Sequence, residues 1–291
     1  MADLKKRLKQ NVHGNYFVDS TCINCDTCRQ LAPNTFEDSG DYSFVQNQPE
    51  SDNEIREATR ALLACPTGSI GTIEKNILQE TINDFPLSIE DEVYYCGFNS
   101  PKSYGGNSYF IKLKEGNWLI DSPKFNNHLL NSFEKMGGIK YIFLTHSDDV
   151  ADAEKYAIKF GSTRIIHKEE QDAQPNAEHI IDGTNTIEFN KDFKIIPTPG
   201  HTKGHCVLLY KSKYLFTGDH LRWNRYKKCL HASKDVCWFD WQEQANSMEK
   251  LKDYQFEWIL PGHGQNIKLP IQIMKTELED LIKRMKEINQ Q

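Results

Sequence analysis

Four cysteines near the amino terminus constrain the fold of this 291-residue chain more than any other feature of its sequence. Cys22, Cys25 and Cys28 are each separated by two residues, and the fourth, Cys65, directly precedes a proline. A loop with this spacing can wrap a cubane of iron and sulfide, with each thiolate on a different iron and the fourth thiolate supplied from elsewhere in the chain. No second triple lies between residues 28 and 65, so the sequence predicts a single [4Fe–4S] cluster bound by these four residues.

The same cysteines allow three other interpretations. A structural zinc site is one, although zinc sites favour paired C-x2-C knuckles over a triple with a distant Cys-Pro. The others are a [3Fe–4S] form, reached when a ligand is lost on oxidation, and coincidental reduced thiols. The stretches CINCDTC and ACPTGSIG resemble single-cluster bacterial-type ferredoxins over about residues 12–75. That resemblance implies a small ferredoxin-like domain.

The composition favours a folded globular protein of one large and one small domain. Hydrophobic residues make up 38% of the chain, and no stretch approaches the roughly 18–20 consecutive apolar residues of a membrane span. A net charge of −6 argues against nucleic acid as a partner, and we expect no membrane partner either. Eight cysteines without a secretory signal favour a reducing compartment, either the cytoplasm or, in a eukaryote, the plastid stroma.

The pattern of the sequence changes at about residue 80. The first part combines short strands with the cysteine loop and a capped helix over SDNEIREATRALLAC, in which Ser51 or Asp52 is the N-cap. From about residue 85, short β-rich runs alternate with amphipathic helical patterns. We therefore expect an α+β, α/β protein in two domains, a ferredoxin-like domain at 1–80 and a larger domain at 81–291.

Four short stretches place a histidine or an aspartate where a strand gives way to a loop. They are LTHSDD with His146, PTPGHTKGH with His201, FTGDH with Asp219 and LPGHG with His263. One edge of an α/β fold can bring such positions together. Imidazole combined with carboxylate suits zinc, iron or manganese, so we expect a metal site at this edge.

In this order, with NSYFI and WLIDSP upstream, the stretches resemble the metallo-β-lactamase superfamily over about residues 90–265. That superfamily includes glyoxalase II-like hydrolases, persulfide dioxygenases and the diiron domain of flavodiiron proteins. The resemblance implies a four-layer αβ/βα sandwich with a mononuclear or dinuclear metal site at its edge. Nearly the whole chain resembles a ferredoxin-fused metallo-β-lactamase family of cyanobacteria and plastids, through THSDDVAD and CWFDWQEQANSMEKLKDYQFEWILPGHG.

The metal-binding turn departs from the pattern His-x-His-x-Asp-His that this superfamily usually shows. His146 matches its first histidine, and Asp148 stands where the second should be. Val150 and Ala151 stand where the aspartate and the last histidine should be, and neither side chain can bind a metal ion.

By this resemblance, the first metal position keeps three ligands and gains a carboxylate substitute: His146, His201 and Asp219, with Asp148. The second position keeps only Asp219 and His263, and Asp149 and Asp152 are reserves that can replace the missing ligands. Three alternatives follow: one zinc or iron ion, a rebuilt dinuclear site, or no functional metal.

Three functions fit these patterns. The first is a metal-dependent hydrolase that acts on an unidentified small molecule, with Asp148 or Asp149 as general base. The second is a redox protein in which the cluster exchanges electrons with the metal at the sandwich edge or with an electron-transfer partner protein. The third is a non-catalytic sensor or scaffold that carries the cluster on a decayed enzyme fold.

Several further residues have two interpretations each. His205 and His220 flank the predicted ligands and are expected either to orient them or to lie in exposed loops. For Trp223, Trp238 and Trp241 we expect core packing rather than a pocket lining. The stretch WNRYKK is either a basic patch that receives an anion or a solvated turn.

Overall fold

The computed structural model describes residues 2–74 and 80–288. The chain divides into two compact units, Met1–Tyr141 with Ala151–Ser162, and Ile142–Val150 with Thr163–Gln291. The domain boundary predicted at residue 80 follows sequence patterns, whereas these units follow contacts in space, so that boundary stays a prediction. Among the described residues, no helix is both long and apolar enough to cross a membrane.

The amino-terminal part of the first unit folds the cysteine loop onto a small hydrophobic core. Its elements are β1 (Tyr16–Val18), α1 (Thr27–Leu31), β2 (Phe36–Asp38), β3 (Ser43–Val45), α2 (Asp52–Ala64) and β4 (Ile70–Thr72). Strand β1 pairs antiparallel with β4, and β2 pairs antiparallel with β3. The buried side chains of Tyr16, Phe36 and Val45 belong to the same cluster as Cys28, so the cysteine loop is anchored in this core.

Helix α2 explains how Cys65 is placed. Ser51 and Glu54 form a capping box at its start, in which each side chain accepts a hydrogen bond from the backbone amide of the other residue. Ala58 and Ala61, both fully buried, attach the helix to the core, and Cys65 follows as its C-cap. The predicted capped helix is therefore confirmed, with Ser51 as its N-cap.

The rest of the first unit is an antiparallel meander with two helices. Its elements are β5 (Leu87–Glu90), β6 (Val93–Tyr95), β7 (Tyr109–Ile111), β8 (Trp118–Ile120), α3 (Asn127–Lys135) and α4 (Ala153–Phe160). Strand β9 (Tyr141–Phe143) lies between α3 and α4 in the chain, and the two units divide within it. Strands β5 to β8 pair in sequence order. The ring of Phe133 stacks on Phe110 with centroids 4.8 Å apart and meets Tyr156 edge-on at 5.8 Å, so α3 packs against both β7 and α4.

Asp152 is a structural residue of the first unit and not a reserve metal ligand. Its carboxylate pairs with Lys102 Nζ at 2.8 Å and Lys155 Nζ at 2.9 Å, and it accepts a hydrogen bond from the amide of Phe125 at 3.0 Å. It belongs to neither group of metal-binding atoms that the described residues form. Burial opposes ionisation of this carboxyl, but the hydrogen bonds and charge of these partners lower its pKa to about 2.

Replacing Asp152 by asparagine is expected to lower the free energy of unfolding at pH 7 by about 1–2 kcal/mol. A carboxyl whose pKa is lower in the folded state stabilises the fold above its unfolded pKa, near 4. That stabilisation disappears as the pH falls from about 4 through about 2. Denaturant titrations should therefore show a constant difference from the wild type between pH 5 and 7 and a smaller one below pH 4. An equal difference at every pH would contradict the electrostatic explanation.

The second unit is built on a six-stranded mixed sheet. Its elements are β10 (Thr163–His167), β11 (His179–Ile181), β12 (Ile187–Glu188), β13 (Phe193–Pro197), β14 (Cys206–Tyr210), β15 (Tyr214–Gly218), β16 (Arg222–Asn224), β17 (Cys229–His231), α5 (Trp241–Leu251), β18 (Trp258–Pro261), β19 (Ile267–Lys268) and α6 (Ile271–Ile288). The sheet order is β12-β13-β14-β15-β18-β19, in which only β15 and β18 are parallel. Helices α5 and α6 share a core cluster with this sheet.

The parallel pair β15–β18 positions two of the predicted metal ligands. The carboxyl ends of parallel strands lie at the same edge of a sheet. Asp219 directly follows β15, and His263 lies two residues after β18. The amide of Gly262 donates to the carbonyl of Gly218 at 2.7 Å, which holds the two loops side by side.

The WNRYKK stretch contains the turn at residues 225–228 that joins the antiparallel strands β16 and β17, and Tyr226 in this turn is 61% exposed, in agreement with the solvated-turn interpretation. One expectation from the sequence needs correction. The three tryptophans do not share one role: Trp241 is 8% exposed and Trp223 packs against the same core cluster, whereas Trp238 is 64% exposed. The expectation of core packing is therefore wrong for Trp238.

Candidate metal centre and cysteine site

The four predicted cluster ligands line one cavity in the first unit. The remaining lining residues are Val18, Ile23, Thr27, Ser43, Pro66, Thr67, Ser69 and Ile70. The amide of Asn24 donates to Cys22 Sγ at 3.4 Å, and the amide of Ser69 donates to Cys65 Sγ at 3.3 Å. Hydrogen bonds of this kind stabilise the negative charge on sulfur atoms that bind iron. The cavity and its donors therefore fit an iron–sulfur cluster.

The surroundings of the cysteine thiols disfavour their negatively charged thiolate forms. Burial, with smaller repulsion from the neighbouring cysteines, raises the pKa of the Cys25 thiol to about 11 and that of Cys28 well above its ordinary value. The buried guanidinium of Arg29 offsets part of this effect and is held by Asp26 Oδ1 and Ser43 Oγ, both at 2.7 Å. Binding of cations such as iron therefore favours the thiolate forms of Cys25 and Cys28 in this cavity.

A loop at residues 99–107 covers the Cys25 side of the cavity. Tyr104 Oη donates to the carbonyl of Ile23 at 2.6 Å, and Asn99 Nδ2 donates to Thr27 Oγ1 at 3.1 Å. Sequence analysis missed this loop, because its hydrogen bonds join positions that lie more than 70 residues apart in the chain.

Gly105 brings the backbone of this loop against the cysteine. Its φ of +88° favours glycine, and a Cβ at this position would lie 2.8 Å from Cys25 Cβ and 3.0 Å from Cys25 Sγ. The carbonyl of Gly105 also accepts a hydrogen bond from Asn99 Nδ2 at 2.7 Å. The close approach excludes any larger residue without displacement of the cysteine loop.

The predicted metal ligands come together in the second unit. Their ligand atoms form two groups, each within 4.8 Å: His146 with Asp148 and His201, and His146 with Asp149 and Asp219. His201 Nε2 lies 3.6 Å from Asp148 Oδ2 and 3.8 Å from Asp219 Oδ2. His146 Nε2 lies 3.9 and 3.8 Å from the same two oxygens. Ligand atoms around a tetrahedral zinc ion are about 3.4 Å apart, so this spacing suits one ion.

The hydrogen bonding of the two histidines also fits a metal ion. Thr145 Oγ1 lies 2.9 Å from His146 Nδ1, which leaves Nε2 directed towards the centre. In the described part of the chain, neither His146 Nε2 nor His201 Nε2 has a hydrogen-bond partner, although both atoms are buried. A buried polar atom without a partner costs about 1–3 kcal/mol, and a metal ion at this point removes that cost.

Gly262 makes room for the carboxylates of the centre. A Cβ at this position would lie 2.5 Å from Asp149 Oδ2 and 2.7 Å from Asp219 Oδ1. Asp149 is 1% exposed, whereas the side chain of Asp148 is 49% exposed. The two adjacent aspartates therefore differ in setting: Asp149 lies inside the centre, and Asp148 lies at its solvent side.

His263 is engaged by Asp219. Its Nδ1 lies 2.9 Å from Asp219 Oδ1 and 3.0 Å from Oδ2. Burial disfavours charge on both groups, but their mutual attraction raises the pKa of His263 to about 10 and lowers that of Asp219 well below its usual range. The geometry thus pairs His263 with Asp219, and the role of His263 as a metal ligand stays a prediction.

Sequence analysis missed Glu170, which holds two ligand loops together. This residue is 4% exposed. Its Oε2 accepts a hydrogen bond from the amide of Ser147 at 3.0 Å, and its Oε1 accepts one from the amide of Gly204 at 2.6 Å. Ser147 follows His146, and Gly204 lies three residues after His201. The only signal in the sequence was an acidic residue shortly after strand β10, which is too common to single out.

His205 and His220 lie behind the predicted ligands, and the alternative that places them in exposed loops is wrong. Both are fully buried, and their rings stack with centroids 5.1 Å apart. His205 Nδ1 lies 3.0 Å from Thr198 Oγ1, and its ring centroid lies 5.2 Å from that of His146. His205 therefore packs against the ring of His146, and His220 packs against His205.

These features define a class: an α/β metalloprotein with a histidine–carboxylate centre at the end of parallel strands and a separate four-cysteine site. The chain belongs to the metallo-β-lactamase superfamily, whose family model matches residues 87–268. Residues 18–72 match the model described as the 4Fe-4S single cluster domain of Ferredoxin I. The predicted combination of a ferredoxin domain with a metallo-β-lactamase domain is therefore confirmed.

Known proteins support the same assignment. The chain is 27% identical to a beta-lactamase-like protein 2 homolog of Caenorhabditis elegans over 206 residues, which cover 63% of this chain and 64% of that protein. It is 34% identical to the hydroxyacylglutathione hydrolase of Buchnera aphidicola over 105 residues, which cover 35% and 41% of the two chains. The chain thus spans about 64% of the length of its C. elegans relative.

Solved structures confirm the predicted fold class. The metallo-beta-lactamase FIM-1 from Pseudomonas aeruginosa, in a mono-zinc form, gives a TM-score of 0.53 at 16% identity and covers 68% of this chain and 93% of its own. VMB-1 gives a TM-score of 0.51 at 18% identity, with 69% and 96% covered. The fold implies metal ions at the histidine–carboxylate centre, and the ferredoxin model implies a [4Fe–4S] cluster at the four cysteines.

Proposed function

We propose that this protein is a metal-dependent hydrolase of an acyl compound, an ester or a thioester. The observation that carries the proposal is the convergence of His146, His201 and Asp219 with Asp148 and Asp149 on one buried centre. Similarity to a hydroxyacylglutathione hydrolase supports an acyl substrate.

One zinc or iron ion fits the centre, with His146, His201, Asp148 and Asp219 as the residues that hold it. Such an ion supplies a Lewis acid that polarises a carbonyl group and activates water near neutral pH. Asp149 is the residue that would complete a second position with Asp219 and His263. Because Val150 and Ala151 provide no further ligand there, we propose a mononuclear centre.

Asp148 is also the candidate general base. The neighbouring imidazole of His201, whose Nε2 lies 3.6 Å from Asp148 Oδ2, is the main cause of the lowered pKa of its carboxyl group, so it is ionised at neutral pH. Its side chain is half-exposed and can accept a hydrogen bond from water that enters from solvent. Asp149 is buried, so it cannot meet entering water in the same way.

A redox function is the second candidate, and one observation favours it. The loop at residues 99–107 belongs to the metallo-β-lactamase match, yet it contacts the cysteine loop of the ferredoxin match through Tyr104, Asn99 and Gly105. Such contacts suit a cluster that exchanges electrons with this part of the protein or with an electron-transfer partner protein.

Removal of the metal tests the proposal. Protein purified without oxygen is expected to contain about one zinc or non-cluster iron per chain in addition to the cluster. Dialysis against a chelator should abolish hydrolysis of 4-nitrophenyl esters, and added Zn²⁺ or Fe²⁺ should restore it while the visible absorbance of the cluster stays constant. Hydrolysis that persists without metal would contradict the proposal. Non-cluster iron that changes oxidation state with the cluster would favour the redox function, and a protein that binds no such metal would be a scaffold.

A further inference from the structure

Three exposed apolar side chains follow the β16–β17 hairpin of the second unit. Val236, Trp238 and Phe239, here called the apolar lip, are 37%, 64% and 47% exposed. Exposed apolar side chains that lie close together on a protein surface are candidates for a binding site. Trp241, shortly after them, is 8% exposed and belongs to the core, so the lip is separate from the buried face of α5.

The apolar lip is fixed to the loop that carries a predicted metal ligand. The backbone amides of Trp238 and Phe239 both donate to the carbonyl of His201, at 2.8 and 3.1 Å. The ring of Trp238 lies 6.3 Å from the ring of His201, measured between centroids. A substrate held at the metal centre therefore lies within reach of the lip.

The residues around the lip hold it in place. The amide of Asp240 donates to Gly200 O at 3.0 Å, and its carboxylate accepts from Glu243 N at 2.8 Å and so caps α5. Cys237 Sγ donates to Gly200 O at 3.2 Å. A Cβ on Gly200 would lie 2.3 Å from Gln244 Cα, so α5 lies directly on the ligand loop. A surface held in this way binds a ligand without a large entropic cost of ordering.

The size of the lip suits part of a small molecule better than a protein partner. A specific protein interface buries about 800 Å² on each side and involves about 20 or more residues of each partner. Two aromatic rings and a valine offer a fraction of that area. They match one acyl chain or one aromatic ring, since an aromatic side chain buries about 150–250 Å².

We infer that the apolar lip binds the hydrophobic acyl group of the substrate, which places the carbonyl carbon of that group beside His201. This inference rests on the proposed hydrolase function and names its substrate class: esters or thioesters of apolar carboxylic acids, with a medium-length chain or an aromatic ring. In the reaction the bond between the acyl carbon and the leaving oxygen or sulfur breaks. Water gives its hydroxyl to the acyl carbon and a proton to the leaving group.

Chain-length dependence of hydrolysis tests the inference. On metal-loaded protein purified without oxygen, kcat/KM for 4-nitrophenyl acetate, butyrate and hexanoate should rise by about fourfold per methylene. In Trp238→Ala and Phe239→Ala the rise with chain length should be much weaker. Tyr226→Ala is the matched control, because Tyr226 is 61% exposed in the neighbouring hairpin and should leave the dependence unchanged.

Binding of hexanoate, a product of the longest ester, gives a readout that does not depend on activity. Calorimetry should show affinity reduced about tenfold in Trp238→Ala and unchanged in Tyr226→Ala. A chain-length dependence that is absent, or that is the same in the lip variants, overturns the inference, as does hexanoate affinity that Trp238→Ala leaves unchanged. If no ester or thioester is hydrolysed, the proposed function fails, and the hexanoate measurement still decides whether the lip binds acyl groups.

Discussion

An alanine at position 201 is expected to remove the metal ion from the histidine–carboxylate centre and to lower hydrolysis on the order of 1,000-fold. His201 Nε2 lies within 3.8 Å of both Asp148 and Asp219. Without this imidazole the centre has one neutral ligand fewer, and two carboxylates and His146 would have to hold the ion. Elemental analysis and kcat/KM on 4-nitrophenyl esters measure the two effects, while the iron and sulfide of the cluster should stay unchanged.

His128→Ala is a matched control for this variant. His128 is a half-buried histidine of the first unit whose Nε2 lies 3.1 Å from the carbonyl of Phe85, and its loss should leave metal and activity in place. Full metal content in His201→Ala would contradict the assigned centre, and metal loss in both variants would indicate a general effect on folding. The same analysis on Asp149→Ala distinguishes one ion from two: a mononuclear centre keeps its stoichiometry, and a dinuclear one loses an ion.

An alanine at position 65 is expected to abolish the intact [4Fe–4S] cluster. Three cysteines come from one short loop, but Cys65 is the C-cap of helix α2, and all four line the same cavity. Of the remaining cysteines, Cys28 is buried and Cys22 and Cys25 are half-buried. Desolvation raises the pKa values of Cys25 and Cys28, so without a full set of irons these two thiols take up protons. Iron and sulfide analysis should fall from about four of each per chain to three or fewer, with loss of most visible absorbance.

Cys229→Ala is the control for this substitution. Cys229 is half-buried in strand β17 of the second unit and does not line the cysteine cavity. It should keep the full cluster, as measured by absorbance and by EPR after reduction. A cluster of unchanged iron content in Cys65→Ala would contradict the assigned ligand set, and zinc in place of iron in the wild type would favour the structural zinc interpretation instead.

The sequence predicted both sites because their residues sit in short local patterns. The cysteine triple with its Cys-Pro is recognisable from spacing, and the histidine and aspartate positions from the ends of strands together with the resemblance to the superfamily. The structure places the cysteines around one cavity and His146, His201 and Asp219 around one centre. Capping of α2 was equally local, since Ser51 and Glu54 are three residues apart. Patterns of this kind need no knowledge of tertiary contacts.

The features that the sequence did not reveal all depend on contacts between distant positions. The sequence predicts Asp152 as a reserve metal ligand, whereas in the structure its carboxylate pairs with Lys102, 50 residues earlier in the chain. Glu170 joins two loops by accepting hydrogen bonds from their backbone amides. The amino-acid sequence gives no indication of which backbone amides a carboxylate will bind. Trp238 is exposed although its residue type predicted burial, and its backbone amide is bound to the carbonyl of His201, 37 residues earlier. Side-chain direction in loops is set by such contacts and not by composition.

The loop at residues 99–107 has a consequence for the biosynthesis of the protein. It closes over the Cys25 side of the cavity through Tyr104 and Gly105. In a chain made from its amino terminus, all four cysteines are synthesised before this loop exists. We therefore expect iron and sulfide to reach Cys25 more readily before the loop is made than afterwards. In the folded protein Gly105 lies against Cys25, and the hydrogen bond from Tyr104 to the carbonyl of Ile23 ties the loop to the cysteine loop.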